Sequence, residues 1–246
     1  MKFKLILFDL GSTLLYFQGD WDRVIADAIA KLARQIVRCG HPINVDQFRN
    51  TYAKALNTYY IERDVTYTEK STTLLLQEVL SVDFKTELDD DQILNVLDVF
   101  YQHTANYWKL DPDAITMLEQ LLQNGYRLGL ISNASYSRDV YMQLEKHQLL
   151  PHFEQILVSA DVGYRKPHPL IFRKALSFFN VEAAEAVMIG DTLNADIIGS
   201  RHVGIKNIWI ARWASPPTTH YRDDAIIPDR TIQQLSQIPA VLTAWQ

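Results

Sequence analysis

The stretch Phe3-Lys4-Leu5-Ile6-Leu7-Phe8-Asp9-Leu10-Gly11-Ser12-Thr13 indicates how this chain folds. Residues 3–8 form a short apolar run that ends at Asp9 and Gly11, which is typical of a buried parallel strand that stops at a functional loop. Later runs end in the same manner. They are residues 126–131, followed by Ser132-Asn133, residues 155–158, followed by Ser159, and residues 186–189, followed by Gly190-Asp191. The sequence therefore predicts buried strands that each give way to small or polar residues.

Helical stretches separate these predicted strands, at residues 112–124, 136–148 and 167–179. Strands that alternate with helices favour a doubly wound parallel sheet, the Rossmann-like α/β arrangement. In such a sheet, ligands bind at the carboxyl ends of the strands. Asp9, Ser132 and Asp191 all fall at that edge, although they come from distant parts of the sequence. We expect the functional site there.

Residues 16–108 show a different pattern, in which apolar residues recur at helical spacing without a convincing strand. Examples are Val24, Ile25, Ala28, Ile29 and Leu32, and later Ile93, Leu94, Leu97 and Phe100. This pattern predicts an all-helical cap domain inserted into an α/β core made of residues 1–15 and 109–246. A last helix is expected near residues 231–244, packed against the core.

Composition, net charge and cysteine count indicate which kinds of protein this chain can be. The chain has 246 residues, of which 48% are hydrophobic and 22% charged, as expected of a folded, water-soluble protein. A net charge of −5 without a lysine-arginine run argues against nucleic acid as a partner. The single cysteine, Cys39, excludes an internal disulfide. Asp9 interrupts the N-terminal apolar run before it reaches the length of a membrane span or signal peptide, so we expect a cytoplasmic protein without a membrane segment. Nothing in the sequence indicates the oligomeric state.

Four segments carry candidate chemistry, and their order along the chain matters as much as their content. They are Leu7-Phe8-Asp9-Leu10-Gly11-Ser12-Thr13-Leu14, Ile131-Ser132-Asn133, Gly163-Tyr164-Arg165-Lys166-Pro167-His168-Pro169-Leu170-Ile171-Phe172, and Val187-Met188-Ile189-Gly190-Asp191-Thr192-Leu193-Asn194-Ala195-Asp196. Together they resemble the nucleophile, hydroxyl, lysine and acidic motifs of the haloacid dehalogenase-like hydrolase superfamily, in that family's order and with a helical cap between the first two. The resemblance covers essentially the whole predicted core.

The resemblance implies a magnesium-dependent phosphatase that acts on a small phosphorylated metabolite. Asp9 would attack phosphorus and form an aspartyl-phosphate. Mg²⁺ would be held by Asp9, the carbonyl oxygen of Gly11 and Asp191, while Asp196 would orient the waters bound to the metal. Carboxylate oxygens together with waters and a substrate phosphate are the ligands that Mg²⁺ prefers.

The resemblance also implies which residues contact the phosphate. Ser132 and Lys166 would bind the transferring oxygens, and Thr13 and Asn133 would complete the phosphate site. Lys166 lies at the start of a predicted helix, where the helix dipole also favours an anion. The chemistry requires such a cation, because a carboxylate that attacks a phosphate dianion meets charge repulsion.

The sequence departs from the phosphatase pattern at Gly11. Phosphatases of this family usually have a second aspartate there, which protonates the leaving alkoxide and then activates water. General acid-base catalysis contributes about 10²–10⁴ in rate. We therefore expect either a substitute acid, from the cap or the substrate, or a preference for leaving groups that need little protonation, such as aryl and acyl phosphates.

Three alternatives follow from the missing aspartate. Haloacid dehalogenases lack it, attack carbon and use no metal, but the pair Asp191 and Asp196 argues against that activity. Phosphonatases lack it and use a lysine of the cap as a Schiff base, and Lys31 and Lys54 are the lysines considered for that role. A catalytically impaired binding or regulatory protein is the third alternative, and the retention of Asp9, Ser132, Lys166 and Asp191 argues against it.

Overall fold

The computed structural model describes residues 2–214 and 226–245. In chain order its strands and longer helices are β1 (Leu5–Phe8), β2 (Leu15–Phe17), α1 (Trp21–Arg38), α2 (Val45–Thr66), α3 (Thr72–Asp83), α4 (Asp90–Thr104), β3 (Trp108–Leu110), α5 (Ala114–Gln123), β4 (Arg127–Ser132), α6 (Ser137–Lys146), β5 (Gln155–Val158), α7 (Ser159–Val162), α8 (Pro169–Phe179), β6 (Ala186–Gly190), α9 (Ile198–His202), β7 (Lys206–Ile210), β8 (Arg230–Ile232) and α10 (Ile238–Ala244). The chain divides into two compact units, Met1–Tyr16 with Lys109–Gln246, and Phe17–Trp108.

The first unit is built on a six-stranded sheet in the order β5-β4-β1-β6-β7-β8, counted over the described residues. Every neighbouring pair in it is parallel. Helices lie in the connections from β4 to β5, from β5 to β6 and from β6 to β7, as parallel pairing requires, since a tight turn cannot join two parallel strands. The predicted α/β class, with a doubly wound parallel sheet and an inserted helical domain, is confirmed.

Strand β1 is apolar throughout and lies near the centre of the sheet. All four of its residues are fully buried, and it pairs with β4 on one side and β6 on the other. In this register Phe8 lies level with Leu130 and with Ile189. The residues that follow these three positions therefore emerge at one edge of the sheet, where the backbone amide of Asp9 donates to the carbonyl of Ile189 at 2.9 Å.

The second unit contains α1 to α4, and its helices begin where the sequence supplies a capping side chain. Asp20, Asn44, Ser71 and Asp89 each accept a hydrogen bond from a backbone N–H of the first turn. At α4 the cap is reciprocal, because the side chain of Gln92 also accepts from the backbone of Asp89. None of the helices in residues 2–214 and 226–245 combines the length and the apolarity that crossing a membrane requires.

The structure corrects the expectation for the C-terminal segment. A helix was expected near residues 231–244, but residues 230–232 form the edge strand β8 and the α-helix begins only at Ile238. Two of the three β8 residues are exposed, so its apolar pattern is too short to distinguish it from the first turn of a helix. The structure also contains β7, which the sequence analysis did not include. Short strands β2 and β3 pair with each other at the ends of the inserted segment.

Candidate active site

Asp9 occupies the position directly after β1 and is almost completely buried. Burial raises the pKa of its carboxyl group from 3.8 to about 6; the nearby charge of Lys166 opposes the shift and that of Asp196 adds to it. A carboxylate that is placed in this way has lost most of its hydration and therefore needs compensating positive charge.

Lys166 supplies part of that charge. Its ammonium nitrogen lies 2.6 Å from Asp9 Oδ1, 2.7 Å from Asp196 Oδ1 and 2.6 Å from the carbonyl oxygen of Ile131. Burial by itself lowers the pKa of this lysine, but attraction to Asp196 and Asp9 outweighs burial and raises it. The lysine therefore stays protonated and holds Asp9 in place.

An acidic cluster surrounds the lysine. Asp9, Asp191 and Asp196 are all buried, and one ligand atom from each lies within 4.8 Å of the others. Burial raises the pKa of Asp191 well above its ordinary value, and the charges of Asp9 and Asp196 raise it further. One lysine cannot neutralise three carboxylates at this spacing, so the cluster has the charge and the donor atoms to hold a metal ion.

Gly190 makes the position of Asp196 possible. The chain passes from β6 through Asp191 into a turn of π-helix, Leu193–Ile197, and this turn brings Asp196 back against the end of the strand. A methyl group on Gly190 would overlap the side chain of Asp196. Glycine is thus required for close approach rather than for an unusual backbone angle. The amide of Thr192 completes the arrangement by donating to Asp196 Oδ2 at 3.0 Å.

Asn133 lies beside the cluster, with its side chain directed at the backbone of Lys166. Its Oδ1 accepts from the Lys166 amide at 2.8 Å, and its Nδ2 donates to the Lys166 carbonyl at 2.9 Å. The phosphate contact expected for Asn133 would have to be made alongside this pair of hydrogen bonds.

Ser132, Thr13 and Gly11 lie around the same edge. Ser132 ends β4 and is buried. Thr13 is fully buried, and its hydroxyl oxygen makes no hydrogen bond to the described part of the chain. Gly11 forms an isolated bridge to Leu15, so the loop after Asp9 closes on itself within a few residues.

Trp209 is a residue that the sequence analysis missed. It lies on β7, and its indole nitrogen donates to the backbone carbonyl of Asp191 at 2.6 Å. β7 pairs with β6 so that Trp209 lies level with Gly190. An aromatic residue in an apolar run normally indicates core packing, and its contact with a motif 18 residues earlier depends on strand register that the sequence does not reveal.

The arrangement of a buried aspartate, a lysine and two further aspartates at the carboxyl edge of a parallel sheet agrees with a comparison against known families. A family model described as haloacid dehalogenase-like hydrolase matches residues 3–204. The chain belongs to this family. The predicted haloacid dehalogenase-like family and the assignment to the hydrolases are therefore confirmed.

Individual members of the haloacid dehalogenase-like family are similar to this chain over different shares of its length. Glyceraldehyde 3-phosphate phosphatase of Pyrococcus furiosus is 27% identical over 208 residues, which are 85% of this chain and 80% of that protein. Phosphoserine phosphatase of Thermus thermophilus is 31% identical over 144 residues, 57% of this chain and 54% of that protein. Among solved structures, 2-haloacid dehalogenase from Pseudomonas syringae pv. tomato DC3000 has a TM-score of 0.68 and 25% identity, and the match covers 99% of this chain and 100% of that one.

Proposed function

We propose that this haloacid dehalogenase-like hydrolase is a magnesium-dependent phosphatase that acts on a small phosphorylated metabolite through an aspartyl-phosphate on Asp9. The observation that carries the proposal is the buried contact between Asp9 and Lys166, with Asp191 and Asp196 within metal-binding distance. This set joins a nucleophile, a fixed cation and two further carboxylates, which is what phosphoryl transfer requires.

The metal part of the proposal is supported by charge. Burial raises the pKa values of Asp9 and Asp191, and the charge of Asp196 raises both further, so both carboxylates are unfavourably placed without additional positive charge. Their oxygen donors fit a hard divalent cation such as Mg²⁺. Asp9, Asp191 and the carbonyl of Gly11 would hold it, and Asp196 would orient its waters. When bound, Mg²⁺ neutralises charge on the transferring phosphoryl group.

The residues of the chain divide the remaining work. A carboxylate oxygen of Asp9 attacks phosphorus as the bond to the leaving oxygen breaks, and water later cleaves the Asp9–phosphate bond to release inorganic phosphate. Lys166 restrains the carboxylate and offsets its charge. Ser132 and Thr13 offer hydroxyl groups to the phosphoryl oxygens, and the unpaired hydroxyl of buried Thr13 supports that role.

Gly11 sets the expected selectivity among leaving groups. It has no side chain that could protonate the leaving oxygen, and the missing general acid corresponds to about 10²–10⁴ in rate for an alkoxide. Aryl and acyl phosphates need little protonation. We therefore expect them to be hydrolysed faster than alkyl phosphates, unless the substrate or the helical unit supplies an acid.

The substrate class rests on the relatives. Two proteins similar to this chain carry the names glyceraldehyde 3-phosphate phosphatase and phosphoserine phosphatase, both of which refer to small phosphorylated metabolites. The unit Phe17–Trp108 would act as the cap that selects among such substrates. Location in the cytoplasm stays a prediction.

The proposal is tested by measuring phosphate release from aryl, acyl and sugar phosphates, with Mg²⁺ and with a chelator. Asp9→Asn is the matched control, because it keeps the shape of the side chain and removes the nucleophile. We expect release that requires Mg²⁺, disappears in Asp9→Asn and is fastest for aryl and acyl substrates. Absence of release from every substrate, in wild-type protein shown to be folded by circular dichroism, would reject the phosphatase.

A second candidate, hydrolysis of a carbon–halogen bond, is favoured by Gly11, since dehalogenases of this family do not carry an aspartate there. A solved structure similar to this chain is a 2-haloacid dehalogenase. The acidic pair Asp191 and Asp196 argues against it, because attack on carbon needs no metal. Halide release from 2-haloacids in the presence of a chelator separates the two candidates.

A further inference from the structure

The peptide unit between Asp191 and Thr192 is held at both ends. Its carbonyl oxygen accepts from the indole nitrogen of Trp209 at 2.6 Å. Its N–H donates to Asp196 Oδ2 at 3.0 Å. Two hydrogen bonds at opposite edges of one peptide plane restrain its rotation, and the rotation of this plane helps to set where the Asp191 side chain points.

The two hydrogen bonds differ in origin. Asp196 lies in the π-helical turn that begins two residues after Asp191, so its bond to the Thr192 amide is local. Trp209 comes from the next strand, where pairing with β6 places it level with Gly190. The indole therefore connects the backbone of Asp191 to the sheet. It is half-buried, and its N–H is a donor that needs a partner once it is removed from water.

Orientation matters at Asp191 because the site is crowded with like charges. Asp191 is buried beside Asp9 and Asp196, and one ligand atom from each of the three lies within 4.8 Å of the others. A free peptide plane would allow the carboxylate to rotate away from its neighbours. A fixed Asp191 peptide keeps the Asp191 carboxylate close to those of Asp9 and Asp196, which pre-organises a cation site.

We propose that Trp209 is a positioning residue for metal binding, and that it acts by holding the Asp191 peptide in the orientation in which the carboxylate can ligate a divalent cation. This inference rests on the proposed metal role of Asp191. It concerns binding and is independent of which substrate the enzyme hydrolyses.

Calorimetric titration of the full chain with Mg²⁺ alone tests the inference. Trp209→Phe keeps an aromatic ring and removes the N–H, and we expect it to weaken Mg²⁺ binding by about tenfold, the lower end of what the loss of an outer partner of a metal ligand costs. Phosphate release should recover toward the wild-type rate at saturating Mg²⁺. Replacement of Trp209 by benzothienylalanine, in which sulfur takes the place of the N–H at nearly unchanged shape, gives the same comparison if the Phe variant folds poorly.

Trp213→Phe is the matched control. The indole of Trp213 also donates to an aspartate, Asp111 Oδ2 at 2.8 Å, but Asp111 does not belong to the acidic cluster. We expect Trp213→Phe to lower the free energy of unfolding and leave Mg²⁺ affinity unchanged. A merely structural Trp209 would behave in the same way as this control.

Each outcome decides the matter. Equal Mg²⁺ affinity in wild type and Trp209→Phe, or an equal loss in Trp213→Phe, overturns the inference. Failure of the wild type to bind Mg²⁺ overturns the inference together with the metal part of the proposed function. Selective weakening in Trp209→Phe without phosphate release from any substrate would support the inference and reject the phosphatase.

Discussion

Asn133 holds the segment that carries the buried lysine by means of one side-chain amide. Both of its polar atoms are bonded to the backbone of Lys166. We predict that Asn133→Ala lowers kcat by up to about 100-fold, because a small displacement of Lys166 weakens its contact with Asp9. Steady-state kinetics on an aryl phosphate measure this. A change confined to KM would instead assign the amide to phosphate binding.

Asn207→Ala is the control for the loss of a side-chain amide that is hydrogen-bonded to the backbone. The Oδ1 atom of Asn207 accepts from the amide of Asp229 at 3.0 Å, and the residue is buried. Urea titration should show that both variants lose about 1–3 kcal/mol of unfolding free energy. Only Asn133→Ala should lose kcat.

Gly190 is a position where adding a single methyl group is expected to reduce activity. We predict that Gly190→Ala reduces phosphate release by more than about 100-fold, because the added methyl group displaces Asp196, which the structure pairs with Lys166. Gly129→Ala on β4 is the comparison, since its methyl group would lie 2.9 Å from Leu7 and Phe179, in the core. Phosphate release and the free energy of unfolding are measured for both variants. If Gly129→Ala loses as much activity as Gly190→Ala for the same loss of unfolding free energy, the prediction is contradicted.

The sequence predicted the position of some site residues and not the contacts of others. Asp9 and Asp191 could be brought to one edge of the sheet because each directly follows an apolar run, and strand ends gather at one edge. The contact of Asn133 with Lys166 spans 33 positions, and that of Trp209 with Asp191 depends on the register of β7. Neither leaves a local pattern in the sequence.

At the scale of elements, helix α6 carries a carboxyl group with a perturbed titration. Burial raises the pKa of Asp139 from 3.8 to about 7, while Gln143 and Lys146 oppose the shift. Between these two pKa values the folded state binds a proton that the unfolded state does not, so this residue's contribution to stability rises as pH falls from 8 toward 5. At pH 8 the charged carboxylate is unfavourable in the fold.

We predict that Asp139→Asn raises the Tm at pH 8 by about 2–4 °C, the shift that 1 kcal/mol produces in a protein of this size, and changes it little at pH 5. Thermal unfolding followed by circular dichroism across this pH range measures the effect. Glu119→Gln, which removes a carboxylate from an exposed position on α5, controls for net charge. A pH dependence unchanged from wild type in Asp139→Asn would contradict the assignment.

Elements were predictable where burial imposes a long or regular pattern. The apolar runs that became β1, β4 and β6 are buried over most of their length, and β5 is half-buried up to a buried Val158. The amphipathic pattern of α1 and α4 is clear from spacing alone. β8 is a three-residue edge strand with one buried residue, so pairing with β7 rather than its own sequence determines its structure. That is why a helix was expected across it.

At the scale of the whole molecule, every candidate site residue belongs to the unit Met1–Tyr16 with Lys109–Gln246. The chain leaves this unit through β2 and returns through β3, and the two strands pair. The amide of Gln18 also donates to the carbonyl of Tyr107 at 2.8 Å, so the ends of the inserted segment lie side by side. A short connection can therefore replace the insertion without stretching the backbone.

We predict that a shortened chain, in which a Gly-Ser loop of about four residues replaces residues 18–107, folds and binds Mg²⁺. The sheet and the acidic cluster lie outside the deleted segment. Hydrolysis of an aryl phosphate should persist at a kcat/KM lower by roughly 10- to 100-fold, with weaker discrimination among sugar phosphates, because the part proposed to position substrates is gone. The same deletion with Asp9→Asn should be inactive.

Two outcomes would contradict this prediction. If the shortened chain unfolds cooperatively but no longer binds Mg²⁺, a ligand from the helical unit must complete the metal site. If its discrimination among substrates equals that of the full chain, selection resides in the α/β unit and the proposed cap role is wrong.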